Sequence, residues 1–381
     1  MKKLIGSLLL AGMMVSCLAP KKDFTMRYSK GDFEKEVNGK KTTLFTLKNE
    51  GGIIVTLTNY GAKIVSVFAP DRKGALEDVT LGFKSIDEYV AGDAGQGAVV
   101  GPYANRIANA EFVIDGQQYK LPQNNMKACL HSGLESFYRQ VYDAKEVQSA
   151  DGPAVQMTLL SPDLQWGFPG NKVVNVTYTL TKDNSLKIDY EATTDKPCYF
   201  NLTNHCYFNL KGEGNGDILD HELVVNANFV TAVADSQLIP TGQIADIRGT
   251  AMDFTSPHKV GERINDPMPQ LKMGGGYDHN YILNKDQNGH EMTFCASIYE
   301  PVSGRFLECS TTEPAVQLYT GNFLDGKIIG KRGNPYNYRN GMCLETQHYP
   351  DSPHHPEFPN TLLKPGETLK STTIYKFSVK K

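Results

Sequence analysis

Short runs of β-branched and aromatic residues recur along almost the whole chain, and they constrain the fold more than any other feature of the sequence. Clear examples are residues 53–57, 63–68, 173–180, 186–191, 223–230, 293–299 and 315–319. Turn-forming clusters separate such runs, at residues 71–74, 182–184, 212–217 and 273–276. Only short stretches such as residues 85–91 have a helical pattern. The sequence therefore predicts an all-β fold and argues against alternating βαβ units.

The predicted architecture is one large antiparallel β-sandwich, because nothing after residue 30 has the composition of a linker. No repeat with a period of roughly 20 to 50 residues is visible, which argues against a propeller or a solenoid. The chain has 381 residues. This exceeds the about 250–300 residues that a single core usually supports, so the length leaves room for a second lobe.

The composition narrows the class of ligand. The chain has 39 Lys and Arg against 42 Asp and Glu, and 40% of its residues are hydrophobic. These values exclude disordered, collagen-like and polytopic membrane proteins. A formal net charge of −3 gives no electrostatic reason to expect nucleic acid or an anionic membrane as the main partner. A small neutral ligand fits this charge balance better.

The first residues have the pattern of an export signal. Two lysines precede an apolar run at residues 4–15, which is too short to span a bilayer of about 30 Å as a helix. The run ends in Val15-Ser16-Cys17, which resembles a bacterial lipobox. We therefore expect a signal peptide at 1–16, a lipid anchor on Cys17, a tether at 17–30 and one domain at 31–381, in an exported periplasmic or outer-membrane lipoprotein. The alternative is ordinary cleavage nearby, with Cys17 incidental.

Six further cysteines follow Cys17. An even number in an exported protein permits disulfides, but no CxxC occurs and several of the cysteines lie inside apolar runs. Buried free thiols are the simpler interpretation, so no bridge is assigned. The six are Cys129, Cys198, Cys206, Cys295, Cys309 and Cys343.

Five short segments concentrate side chains that a core would not choose, at residues 101–106, 130–133, 201–210, 276–281 and 343–351. Each places a His, Arg, Asp or Glu among aromatic or apolar neighbours, an arrangement that shifts pKa values and shapes a sugar-sized pocket. Taken alone, His205 is more typical of a structural histidine. Glu345 indicates a functional role even alone, because burying a carboxylate in an apolar strand is costly.

Together, these segments resemble the aldose 1-epimerase (galactose mutarotase) family, from the Asn-Tyr-Gly-Ala at 59–62 to the Leu-Lys-Pro-Gly-Glu at 363–367. Residues 167–170 and 319–326 support the match. The resemblance implies a many-stranded antiparallel β-supersandwich, which resolves the question of size. The Asn-His-x-Tyr-Phe-Asn-Leu match implies His205 as general acid, and the Leu-Glu-Thr-Gln match implies Glu345 as general base. Such a pair opens and closes an aldose ring without metal or organic cofactor.

The resemblance also implies a set of substrate-binding residues. Asn105 and Arg106 would bind sugar hydroxyls, His131 would lie near the ring oxygen, and Asp278 would accept from a hydroxyl on the far side of the ring. Tyr207 and Gln317 match further contact positions. Two alternatives stay open, since Asp278 could cap the glycine-rich turn before it and Arg106 could simply pair with an acid.

Three features lie outside this set. Trp166, the only tryptophan, precedes Gly-Phe-Pro-Gly and either stacks on a sugar or is a rim or core aromatic. His348, His354 and His355 have irregular spacing among prolines, which favours a solvated loop over a metal site. The acidic loop at 213–222, with Asp217 and Asp220, does not exclude a structural calcium, although it lacks the EF-hand pattern.

The function expected from the resemblance is that of an isomerase acting on free galactose or glucose, monomeric, with a membrane contacted only through Cys17 and with no nucleic-acid partner. A carbohydrate-binding sandwich without turnover is one alternative. A glycoside hydrolase is another, for which Glu345 and Asp278 are the best carboxylate pair; such pairs are about 5–9.5 Å apart. A sugar-phosphate epimerase, the third, should carry more cationic residues than Arg106 in the motif set.

Overall fold

Strands dominate the computed structural model of the protein, which describes residues 28–92 and 95–381. The strands, in chain order, are β1 (Glu36–Val37), β2 (Lys40–Lys41), β3 (Leu44–Lys48), β4 (Ile54–Thr58), β5 (Lys63–Pro70), β6 (Leu76–Asp78), β7 (Ala98–Val100), β8 (Arg106–Ile107), β9 (Glu111–Ile114), β10 (Gln117–Lys120), β11 (Cys129–Leu130), β12 (Asp143–Val147), β13 (Ala154–Ser161), β14 (Lys172–Leu180), β15 (Ser185–Thr194), β16 (Cys198–Tyr199), β17 (Thr203–His205), β18 (Tyr207–Phe208), β19 (Glu222–Val225), β20 (Ala227–Val233), β21 (Pro240–Asp246), β22 (His258–Lys259), β23 (Asp278–Leu283), β24 (Thr293–Tyr299), β25 (Arg305–Thr311), β26 (Ala315–Tyr319), β27 (Met342–Gln347), β28 (Leu362–Leu363) and β29 (Leu369–Val379). The helices are α1 (Ile86–Gly92), α2 (Val260–Arg263) and α3 (Pro269–Gly274), and short 3-10 turns occupy Lys30–Phe33, Ala108–Ala110, Phe137–Arg139, Gln165–Gly167 and Ser352–His354.

Two large sheets carry most of these strands. Nine strands form one sheet in the order β12-β13-β14-β15-β29-β25-β24-β19-β22, and six form another in the order β18-β27-β26-β23-β20-β21. A third sheet has the order β3-β4-β5-β6. Neighbouring strands in all three sheets pair antiparallel. The predicted large antiparallel all-β fold is thereby confirmed.

The two large sheets pack face to face along β27 and β29. The Thr346 hydroxyl bonds the Thr373 hydroxyl at 2.6 Å, and Leu344 belongs to the same buried cluster as Tyr375. Side chains alternate between the two faces of a strand. Because Leu344 and Thr346 face the nine-stranded sheet, the intervening Glu345 lies on the opposite face of β27. Residues 343 and 347 share that face, so the sandwich itself decides where the chemistry-bearing side chains point.

The strand and helix predictions hold with one exception. Residues 293–299 and 315–319 are strands with the predicted bounds, and the helical stretch predicted at 85–91 is α1. The run at 223–230 was wrongly predicted as one strand, because it contains both β19 and β20, which belong to different large sheets. The break falls at Asn226, whose side chain donates to the carbonyl of Phe294 at 2.9 Å while its backbone N–H donates to Cys295. Periodicity alone does not reveal such a crossing, since both halves alternate.

The predicted signal peptide, the anchor at Cys17 and most of the predicted tether lie outside the described residues. Tyr28, which the tether prediction includes, is buried, and its hydroxyl donates to Ser66 at 2.5 Å. The packed fold therefore includes the chain from Tyr28 onward. Within 28–92 and 95–381, no helix has the length and apolar character needed to cross a bilayer. The six cysteines named above are all buried with free thiols.

Candidate active site

Three adjacent strands of the six-stranded sheet bring the acidic and amide side chains together. In the registers of β23, β26 and β27, Gln317 lies opposite Glu345, and Asp278 lies one pleat away, opposite Tyr319. The Gln317 amide Nε2 donates to Asp278 Oδ1 at 2.6 Å, which shows that both side chains are on the Glu345 face. Sheet register thus brings residues from three distant parts of the sequence to one surface.

His205 approaches this surface from β17. Its Nε2 lies 3.6 Å from Glu345 Oε1, and the exposed fractions of the two side chains are only 8% and 3%. The other carboxylate oxygen, Glu345 Oε2, is buried and has no hydrogen-bond partner among the described residues. A buried polar atom without a partner normally has a ligand or water to satisfy it. The pair therefore has a proton acceptor available next to an imidazole.

Two residues with left-handed backbone conformation build the opposite side of the site. Asn105 has φ 63° and His131 has φ 54°. Their main chains are locked together, because His131 N–H donates to the Asn105 carbonyl at 3.0 Å and Asn105 N–H donates to His131 Nδ1 at 3.1 Å. Since Nδ1 accepts a hydrogen bond, the neutral ring carries its proton on Nε2. The His131 ring meets the His205 ring edge to face at 5.4 Å between centroids.

Arg106 supplies the positive charge of the site. Its Nη2 lies 3.8 Å from Asp278 Oδ2, and its Nη1 donates to Asn105 Oδ1 at 3.2 Å. Two further atoms, Arg106 Nε and Gln317 Oε1, are buried without a hydrogen-bond partner in the protein. The expectation that Arg106 pairs with an acid is met, but that acid is itself one of the predicted sugar-binding residues. Asp278 does not cap the preceding turn, because its Oδ1 accepts from Gln317 and its Oδ2 faces Arg106.

Burial sets the protonation of the acid–base pair. Desolvation raises the pKa of Glu345 well above its usual range, and the nearby Asp278 charge adds to this, while Arg106 opposes it. Desolvation lowers the pKa of His205 to about 4, a hydrogen bond of the ring with its own backbone opposes this, and the positive charge of Lys63 acts in the same direction as desolvation. Desolvation likewise lowers the pKa of His131. Both shifts of the pair favour its uncharged form, with the shared proton on the carboxyl group.

The chain is similar in sequence to known proteins over most of its length. Residues 43–376 match the family model described as aldose 1-epimerase. The chain belongs to the aldose 1-epimerase family. The galactose mutarotase of Rattus norvegicus is 42% identical over 325 residues, which cover 85% of this chain and 91% of that protein. The aldose 1-epimerase of Escherichia coli K12 is 37% identical over 343 residues, covering 89% of this chain and 96% of that protein.

Solved structures of aldose epimerases have the same fold as this aldose 1-epimerase. An aldose epimerase homologue from C. elegans has a TM-score of 0.81 at 29% identity, covering 89% of this chain and all of that one (100%). A galactose 1-epimerase from Lactobacillus acidophilus NCFM has a TM-score of 0.79 at 28% identity, covering 91% and 97%. The recognition made from the sequence is confirmed, and with it the assignment of the chain as an isomerase.

Three side chains of the epimerase site are close enough together to bind a metal ion, but the tautomer of His131 does not fit a metal ligand. Ligand atoms of His131, His205 and Glu345 lie within 4.8 Å of one another, the one such group found in the described part of the chain. A metal-ligating histidine donates from its second ring nitrogen, whereas His131 Nδ1 accepts from Asn105. Metal binding through Nε2 would break that hydrogen bond. The arrangement instead leaves the Nε2–H of the neutral His131 ring as a donor.

The two other groups considered for metals are occupied by ion pairs within the epimerase fold. Asp217 lies 3.5 Å from Lys211, and Asp220 lies 3.2 Å from Lys259. Among the described residues, no three acidic side chains of the loop at 213–222 come together as a metal-binding group, and a structural calcium there stays a prediction. Each of the three C-terminal histidines pairs with a carboxylate: His348 with Glu313, His354 with Asp351, and His355 with both Asp351 and Glu357.

Trp166 is a core-side aromatic in this family member. Its ring meets the edge of Phe137 at 5.7 Å between centroids, and it packs against the main hydrophobic core. An exposed aromatic near the site is Phe323, which stacks on Tyr319 at 5.9 Å between ring centroids and is 63% exposed. Tyr319 in turn lies 6.3 Å from His205. Of the two interpretations of Trp166, the structure therefore supports a rim or core aromatic and not a ring that stacks on a sugar.

The structure brings all eight predicted residues into this part of the fold, and it adds others. Tyr207 packs on His205 at 4.9 Å. Cys343 Sγ lies 3.5 Å from His205 Nδ1. Asn280 lies opposite Gln317, and both polar atoms of its side chain are buried without partners among the described residues. The alternation of β27 around Glu345 was a usable signal for Cys343. Asn280 and Tyr319 had no comparable signal, since their position depends on cross-strand register.

Proposed function

We propose that this aldose 1-epimerase interconverts the α and β anomers of free hexoses, with His205 as general acid and Glu345 as general base. The single observation that carries the proposal is the buried pair with 3.6 Å between His205 Nε2 and Glu345 Oε1. The names of the relatives, galactose mutarotase and aldose 1-epimerase, favour galactose or glucose as the substrate. Two facing groups, one basic and one acidic, are what ring opening requires.

The proposed reaction proceeds from the ion-pair form of the pair, which holds the same single proton on His205. The Glu345 carboxylate takes the proton of the C1 hydroxyl while the His205 imidazolium gives its proton to the ring oxygen. The C1–O5 bond breaks as the C1=O bond forms, and the sugar becomes an open-chain aldehyde with a hydroxyl on C5. Rotation about C1–C2 presents the other face of the carbonyl. Closure reverses both proton transfers, so the pair regains its starting protonation and nothing is consumed.

The surrounding residues have supporting roles in this proposal. An ion pair joins Arg106 to Asp278, and a hydrogen bond joins Gln317 to Asp278. Arg106 Nε and Gln317 Oε1, which have no partner among the described residues, are available to sugar hydroxyls. His131 Nε2–H offers a neutral donor beside the His205 ring. Donors held in a dry site stabilise developing oxyanions more strongly than water does. Orientation together with an acid and a base, each contributing about 10²–10⁴-fold, suffices without a metal or an organic cofactor.

Polarimetry on freshly dissolved α-D-galactose and α-D-glucose tests the proposed activity. The purified protein is expected to speed the approach to the equilibrium rotation for at least one of the two sugars, and to do so equally after dialysis against EDTA. A sugar 6-phosphate serves as the comparison substrate, because Arg106 is the one arginine among the eight predicted site residues and a phosphate would need more cations. Acceleration for the phosphate alone would move the assignment to a sugar-phosphate epimerase. Binding without acceleration would indicate a carbohydrate-binding sandwich.

The pH dependence of kcat/KM is expected to be bell-shaped. The pair must hold one proton: below its lower ionisation it gains a second and has no base, and above its upper ionisation it has no acid. Burial raises the pKa of Glu345 and lowers that of His205, so both ionisations belong to the pair rather than to either residue. Polarimetric kcat/KM, corrected for catalysis by buffer, measures the curve. A constant value from about pH 4 to pH 10 would contradict the pair as acid and base.

We further propose that the enzyme acts outside the cytoplasm, as a monomer held by a lipid on Cys17. The basis is the sequence pattern at residues 1–17, together with the ten residues at 18–27 that separate Cys17 from the buried Tyr28. A chain of that length gives the domain reach from a membrane surface. Sugars released there from glycans would be its substrates.

A further inference from the structure

Two aromatic side chains lead from the buried His205 ring to the surface of the protein. The Tyr319 ring lies 6.3 Å from the His205 ring, and the Phe323 ring stacks on Tyr319 at 5.9 Å, with 19° between the two planes. Tyr319 is only 7% exposed, whereas Phe323 is 63% exposed. Tyr319 also lies opposite Asp278 in the register of β23 and β26. Phe323 therefore lies at the edge of the site, with one face on Tyr319 and the other toward solvent.

The loop that carries Phe323 is fixed by hydrogen bonds. The Phe323 backbone N–H donates to the Tyr319 hydroxyl at 2.9 Å. The side chain of the preceding Asn322 donates to the carbonyls of Gly274 and Tyr277, at 3.0 Å in both cases. Those two carbonyls belong to the turn that leads into β23, so this turn positions both the site and the exposed ring. A fixed ring binds a ligand with less loss of conformational entropy than a mobile one.

An exposed aromatic face beside a sugar site suits a second sugar ring. A pyranose carries C–H groups on its faces and hydroxyls around its edge, and the electron-rich face of an aromatic ring attracts such C–H groups. One phenyl ring matches one pyranose in size, whereas a stable protein interface needs about 800 Å² from each partner. Asp325 and Lys327, which follow Phe323 in the loop, form an ion pair with each other, so they add no net charge that would favour an ionic ligand.

We propose that Phe323 forms an outer sugar subsite, which stacks on a pyranose unit linked to the hexose at His205 and Glu345, so that the enzyme epimerises the reducing ends of short oligosaccharides as well as free hexoses. This inference rests on the proposed function, because only C1 of the reducing unit reacts. The linked unit takes no part in proton transfer. Since it adds binding and no chemistry, the subsite acts on KM and leaves kcat unchanged.

Polarimetry on glucose and on freshly dissolved α-lactose and β-maltose tests the subsite, because both disaccharides end in a reducing glucose. Phe323→Ala is expected to raise KM for the disaccharides by about three- to tenfold, with kcat and the KM for glucose unchanged. Phe323→Tyr, which keeps a ring, is expected to behave as the wild type. If the wild type accelerates galactose and not glucose, a β-1,4-linked galactobiose replaces the two disaccharides.

Phe294→Ala is the matched control. Phe294 is also exposed, at 38%, but it lies on β24 in the nine-stranded sheet. Its replacement is expected to leave the KM of all three sugars at the wild-type value. This control separates the loss of a ring at the edge of the site from the general effect of removing an exposed phenylalanine.

Calorimetric titration with lactose and with glucose measures the subsite without turnover. The wild type is expected to bind lactose more tightly than glucose, and Phe323→Ala is expected to remove the difference. A wild type that accelerates glucose but neither disaccharide would overturn the inference. So would a Phe323→Ala enzyme whose KM rises equally for all three sugars, or for none of them. A wild type inactive on every sugar would instead refute the proposed function, and the calorimetric comparison would still decide whether the subsite exists.

Discussion

Glu345→Gln is expected to abolish most of the epimerase activity while leaving the fold intact or more stable. Glutamine has the same shape, but it accepts no proton from the C1 hydroxyl, so kcat should fall by at least about 10²-fold. The wild-type carboxylate is buried, and its Oε2 has no partner in the protein. Removing an ionisable group from such a position removes a desolvation penalty, so the free energy of unfolding should stay equal or rise. Polarimetry and a thermal melt measure the two quantities.

A second buried glutamate provides the matched control. Glu313 Oε2 bonds His348 Nδ1 at 2.6 Å, and neither residue is among the eight predicted for the site. Glu313→Gln breaks a charge-assisted contact of about 1.5–3 kcal/mol and should lower stability while kcat is retained. The two variants thus have opposite signatures, activity lost with stability kept and activity kept with stability lost. A Glu345→Gln enzyme with wild-type kcat would eliminate Glu345 as the base.

Much of the fold was predictable because it depends on local patterns. Strand β24 begins at Thr293 and β26 ends at Tyr319, as the hydrophobic runs predict, since alternation and β-branching are local properties. The crossing at Asn226 was not predictable in this way. It requires knowledge of which sheet receives each half of the run, and this is decided by distant partners such as Phe294. Local patterns identify strands, while sheet membership is a property of the whole chain.

The candidate site likewise has features that could be predicted from the sequence and features that depend on the folded structure. The residues carried over from the family resemblance are brought together, because matched motifs preserve side-chain type at matched positions. No matched motif assigns a role to Cys343. It lies two residues before Glu345 on β27, however, and therefore shares the same face of that strand. The tautomer of His131 could not have been predicted from the sequence, since it depends on one backbone hydrogen bond from Asn105 in a left-handed turn. Residue identity predicts what a group can do, and backbone geometry decides which of its forms is present.

His205→Asn is expected to lower kcat by about 10²–10⁴-fold, because asparagine donates no proton of suitable acidity to the ring oxygen. The matched control is His221→Asn. His221 is also buried, and burial lowers its pKa to about 4 as well, but its Nε2 accepts from the backbone N–H of Leu210 at 3.0 Å. That substitution should lower stability and leave kcat unchanged. Polarimetry with α-D-galactose and thermal melts distinguish a lost acid from a damaged fold.

The double variant His205→Asn with Glu345→Gln decides whether the two residues act as one unit. If proton donation and proton removal are coupled in the same ring-opening step, losing either residue disables that step, and the double variant should be no slower than the slower single variant. Independent roles would instead give losses that multiply, as for distant sites. Multiplying losses would separate the two residues into different steps, and the pair with 3.6 Å between Nε2 and Oε1 would then no longer be the catalytic unit.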